Sequence, residues 1–213
     1  KLRDYYAWTW GDALFITLDP YWHSKYAVDN VAGVSNVENA TNKKAGTGSQ
    51  KVSDLWQIGI GDEQYSWLKK TLETTKAKYI FVFAHHVMGT GRGAVEVSTN
   101  YEWGGKDPKG ATTFAAQRPN WELPIHDLMV KNNVSIFFQG HDHLYAKEEL
   151  DGLVYQEVPM PSDSTYSIGM TDNGDAYTDV KIEGTGHLRV NVGEDDVTVD
   201  FVRTWMPKDT IGG

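Results

Sequence analysis

Apolar and aromatic positions along the chain fall into short runs separated by Gly, Asp and Asn. Residues 5–10 and 13–18 are two such runs flanking Gly11-Asp12, a pattern that predicts a β-hairpin. From Gly61 the period changes. Tyr65, Leu68 and Leu72 recur at helical spacing and Trp67 widens their face, which predicts a helix over 63–75 with Asp62 as its N-cap. Residues 78–84 then form a continuous apolar run of strand length, as in a strand buried on both faces. Residues 121–131, with Leu123, Ile125, Leu128 and Met129, predict a second helix, and 134–138 a second buried strand.

After Gly140 the pattern shifts to short strands over 144–150, 153–158, 186–192 and 197–204, with Gly and Asp turns between them. The last two alternate well and predict a hairpin across Gly193-Glu194-Asp195. Two stretches lack a sustained period and read as long surface loops: 30–53, rich in Asn, Gly, Ser, Thr and Lys, and 89–110, rich in glycine. Strand, helix, strand, helix and strand followed by a strand-only tail predict an α/β layer grading into antiparallel sheet. No internal repeat interrupts this order, and one domain over 1–213 is the economical reading.

Composition narrows the function classes. Lys plus Arg is 20 against 29 Asp plus Glu, a formal net charge of −9, with no cationic track to neutralise a phosphate backbone. Nucleic acid is therefore not an expected partner. The apolar runs are far shorter than the roughly 20 residues that cross a bilayer as a helix, so no membrane partner is expected either. There is no cysteine, which removes disulfides, thiolate nucleophiles and cysteine-based zinc sites together. Lys1 rather than methionine opens the sequence and no signal peptide comes after it, so the chain reads as processed, excised or incompletely represented. With an acidic pI of about 5.2, this fits a secreted or periplasmic protein.

The seven histidines are placed unevenly. His85 and His86 stand where the buried strand 78–84 runs out, and His141 and His143 where the next one does, in Gly140-His141-Asp142-His143. Open α/β sheets bind ligands just beyond the carboxyl ends of their strands. In an extended segment residues i and i+2 point the same way, so His141 and His143 can face one site, with Gly140 supplying the turn. Neutral imidazole suits Zn, Fe, Mn, Co or Ni, and carboxylates would be needed for a second ion. A single His-x-His is more often a surface accident; two histidine groups, each ending a buried strand, point to a metal.

These residues resemble the calcineurin-like metallophosphoesterases, the family that includes the purple acid phosphatases. The specific part is Gly140-His141-Asp142-His143 after a strand, downstream of the strand-terminal histidine in Val82-Phe83-Ala84-His85-His86. Tyr5-Tyr6, the run 14–19 and Gln64-Tyr65-Ser66-Trp67-Leu68 support it. The resemblance implies part of a four-layer α/β/β/α sandwich with two mixed sheets and a metal site at the strands' carboxyl ends. It implies two divalent or mixed-valence transition metals (Zn, Fe or Mn), with His85 and His141 on one and His143 on the other. It also implies a hydroxide held between the cations that attacks phosphorus in line. His86 would stand behind the metal ligands, and Arg92 would contact the substrate phosphate.

The family's remaining elements, Asp-x-His, Gly-Asp-x-x-Asp and Gly-Asn-His, are absent upstream of His85. The expectation is therefore the C-terminal half of a metallophosphoesterase domain, partnered by a complementary N-terminal half and acting on a small phosphorylated substrate, as a phosphomonoesterase or phosphodiesterase. The chain alone would be inactive, and its sheet would carry an unpaired edge. The alternative is a non-catalytic module that keeps the fold and binds a metal or another ligand.

Overall fold

The computed structural model describes residues 4–23, 55–87, 93–107, 109–162, 168 and 176–205. The expected loop at 30–53 and Arg92 lie outside the described residues. Strands β1 (Tyr6–Trp10) and β2 (Ala13–Thr17) form the predicted hairpin, with Gly11 at φ 56° in the turn, a conformation that suits glycine. Helix α1 (Gly61–Thr74) comes next, then β3 (Tyr79–Phe83). Asp62 does not cap α1. Its carboxylate is drawn outward to accept from Trp121 Nε1 at 2.7 Å and Asn120 Nδ2 at 3.0 Å.

Where a loop is expected over 89–110, the chain forms two one-turn helices, α2 (Val95–Ser98) and α3 (Tyr101–Gly104). A four-residue helix is too short to display an apolar period, and Val97, Tyr101 and Trp103 bury these two instead. Another short helix, α4 (Phe114–Gln117), precedes α5 (Ile125–Lys131). Helix α5 starts later than its apolar positions suggest because Pro124 disfavours helical geometry at the residue before it. The strands β4 (Ile136–Gln139), β5 (Tyr145–Leu150), β6 (Leu153–Glu157), β7 (Val180–Ile182), β8 (Gly186–Val192) and β9 (Val197–Arg203) complete the order. The three-residue, exposed β7 carries no signal in the sequence.

The fold is mixed α/β, as expected. Seven strands form one sheet in the order β1-β2-β3-β4-β6-β5-β7, and β8-β9 form a second. Strands β2, β3, β4 and β6 run parallel; β1, β5 and β7 pair antiparallel at the flanks. Alternation along each strand splits the core in two. Ile16, Val82, Phe137 and Tyr155 pack with Leu68, Leu72, Leu128 and Met129 of the helices, whereas Ala13, Phe81, Ile136 and Phe138 meet Leu188, Val197 and Val199 of the β8-β9 hairpin. No helix among the described residues is long and apolar enough to cross a membrane.

Candidate metal centre

Three strand ends converge on one corner of the sheet. Strands β3 and β4 are parallel neighbours, with Phe83 opposite Phe138, and their pairing continues past the strands through Ala84 N to Phe138 O and Gly140 N to His85 O, both at 3.1 Å. Beside them, Leu18 N donates to Phe83 O, so the segment after β2 enters the same corner. Gln64, fully buried on α1, holds that segment by accepting from Asp19 N and donating to Asp19 O, each at 2.9 Å.

The zipped strand ends bring His85, His86 and His141 together, with one ring nitrogen from each within 4.8 Å of the others. His141 Nδ1 lies 3.3 Å from His85 Nε2. Two nitrogens sharing one tetrahedral ion at about 2.0–2.1 Å stand roughly 3.3–3.4 Å apart, so this pair fits a common ion. Burial, with the nearby His143 second, lowers the His85 pKa and favours the neutral imidazole whose lone pair a metal requires. His86 is buried, and its Nδ1 is in a short hydrogen bond with the Tyr21 hydroxyl. Burial, and then the charge of Asp19, raises the Tyr21 pKa, so the phenol keeps its proton.

His86 is thus grouped with His85 and His141, while His143 stands close enough to influence His85 without joining the three. The resemblance implies that His86 stands behind the ligands, whereas here its ring nitrogen is within reach of the other two. Strand β3 ends at Phe83, so the two histidines lie beyond the alternation that would point adjacent side chains apart. The turn also differs from the expected one. Gly140 is not among the positive-φ residues; His141 and His143 are, at φ 92° and 56°. Tyr21 is a site residue that no motif marks; its only sequence signal is its position just past a strand end. His126, also buried, is a core histidine held between Tyr155 OH at 2.8 Å and Asp151 at 3.1 Å.

Three imidazoles make a neutral donor set suited to a transition metal, and no Asp or Glu joins them among the described residues. No family model and no curated protein matches the chain. Solved structures similar to it include GAP50, the anchor in the inner membrane complex of Plasmodium, and the purple acid phosphatase PPD1 from yellow lupin (Lupinus luteus) seeds. Each is 16% identical with a TM-score of 0.46 and is matched over 93% of this chain, which covers 49% of the first and 30% of the second. The chain spans half or less of those structures.

Proposed function

We propose that the chain is part of a metal-dependent phosphoric ester hydrolase acting on a small phosphorylated substrate, as a phosphomonoesterase or phosphodiesterase. The observation that carries this reading is the meeting of His85, His86 and His141 beyond the carboxyl ends of adjacent parallel strands. Zn, Fe or Mn bound there would supply Lewis acidity toward phosphate oxygens. The neutral His85 and its neighbour His141 would hold the ion. His86 would add Nε2 while its Nδ1–H donates to the Tyr21 oxygen, which fixes the ring's rotation. In the same reading His143 serves a second ion and Arg92 grips the phosphate. The missing carboxylates come from a complementary N-terminal half. Among the described residues β1 is an edge strand, with Tyr6, Trp8 and Trp10 exposed, which supports such a partner.

The test is transition-metal content of protein purified without chelators. At least about one ion per chain, falling on His141→Ala, is the expected result. No ion, or a content indifferent to His141→Ala, would sink the metal reading. Phosphatase and phosphodiesterase assays on the protein joined to its complementary half then separate a hydrolase from a non-catalytic metal-binding module. Among the described residues the cluster is all imidazole, a donor set that by itself suits a metal-binding module.

A further inference from the structure

The histidine turn adopts a backbone that its residues disfavour. Positive φ at His141 and His143 crowds Cβ against the carbonyl, a conformation that persists only where the surrounding structure holds it. Something must hold it, and Asp142, between the two, is almost fully buried in a polar network. Its amide donates to Glu157 Oε1 at 3.0 Å, and its Oδ2 lies 2.7 Å from the Tyr177 hydroxyl. That hydroxyl is also 3.0 Å from Glu157 Oε2. Gln139 Nε2 completes the set, at 2.8 Å from Glu157 Oε2, 3.1 Å from Tyr177 OH and 3.1 Å from Gly93 O.

Counting protons orders this network. One phenolic hydrogen cannot serve two carboxylates at once. The set closes when Glu157 carries a proton, donates it to the Tyr177 oxygen, and Tyr177 in turn donates to Asp142. Burial, and then the charge of Asp142, holds the Glu157 carboxyl well above its ordinary range, in keeping with that count. Tyr177 is itself anchored through its own carbonyl and the next residue in the chain. Thr178 N donates to Glu148 Oε1 at 2.8 Å and to Glu96 Oε1 at 3.0 Å, and Lys181 Nζ donates to the Tyr177 carbonyl.

We propose that Tyr177 is a positioning residue: by clasping Asp142 from a segment some 35 residues downstream, it holds the 140–143 turn in the strained shape that brings His141 against His85. The clasp acts on the backbone, and its effect on metal affinity rests on the metal-site reading above.

Tyr177→Phe keeps the ring and removes only the hydroxyl, and amide hydrogen exchange reads the result. The Asp142 amide is expected to exchange at least about tenfold faster relative to Leu68 and Val82, which report opening of the core. Co²⁺ affinity is expected to fall about 10-fold or more, the effect typical of removing a group that orients a metal ligand. An Asp142 amide that changes only in step with the core would overturn the proposal. So would an Asp142 amide that exchanges in the wild-type protein as fast as an exposed loop, a check that needs no variant to fold. If the wild type binds no Co²⁺ while the Asp142 effect is seen, the clasp stands and the metal-site reading falls.

Discussion

The two faces of the seven-stranded sheet are built from the same strands and closed to different degrees. On the helical face Phe137, Ile16, Val82 and Tyr155 have essentially no exposure, under α1, α5 and the one-turn helices. On the other face, among the described residues, the β8-β9 hairpin alone covers Phe81 and Phe138. Phe15 is only half-buried there, and Trp8 stacks on it at 4.9 Å while remaining 44% exposed; Trp10 is 79% exposed. An open cavity lined by Trp10, Phe15, Phe81, Val190 and Val192, with Asp12 and Glu194 also on its wall, lies at this end of the hairpin. Apolar character alone therefore does not make a core; a second layer of sufficient width does.

This contrast can be broken most readily by deleting rings. Phe137→Ala on the closed face is expected to destabilise the chain by about 3–5 kcal/mol, since the site cannot collapse around a fully packed ring. Phe15→Ala on the open face should cost roughly 1–2 kcal/mol, as solvent already reaches part of it. Urea midpoints at a common m-value measure both, and equal losses would mean that the two faces are closed alike.

A smaller effect comes from charge on the closed side. Glu148 points into the helical face beside Glu96, and desolvation leads the causes that push its carboxyl up to about 7 from an ordinary 4.5. Between those pH values the folded chain keeps a proton that the unfolded chain releases. The Glu148 contribution to stability is therefore present below about pH 4.5, declines as the pH rises, and is gone above about 7. Glu148→Gln should flatten that part of the stability–pH curve, whatever it does to absolute stability. A slope identical to wild type would place Glu148 in a better-solvated setting than the closed face implies.

The smallest effect is expected at the open rim. Trp10→Ala should change the urea midpoint by no more than about 0.5 kcal/mol equivalent in this chain alone. A larger loss would show that the rim is covered in solution.

Much of the sheet was legible because period-2 alternation and continuous apolar runs report burial directly. The β8 span agrees with its alternation to the residue, and β3 lies within its apolar run. Elements too short to repeat a period were not legible: α2 and α3 look like glycine-rich loop, and β7 is three exposed residues. The site divides similarly. His85, His86 and His141 are marked by standing at strand ends, but the grouping of His86 depends on where β3 stops. The partnership of Asp142 with Glu157 and Tyr177 joins residues distant in sequence and of unremarkable type. No local pattern encodes it, and only the topology, with β6 beside β4, brings it about.

The parallel pairing of β2 with β3 also sets an order in time. Hairpin β1-β2 is complete long before Tyr79–Phe83, the strand that Ala13–Thr17 must lie against, has been made. Roughly 60 residues separate the two, so at about 5–20 residues per second a nascent hairpin waits on the order of 3–12 s for its partner strand. During synthesis Tyr6, Trp8, Trp10 and Phe15 emerge before β3, on a ribbon whose β2 edge is still bare. A two-stranded ribbon is marginal in water by itself. The ribosome's neighbourhood, and any chaperone working there, would therefore meet this aromatic ribbon before β3 is there to pair with it.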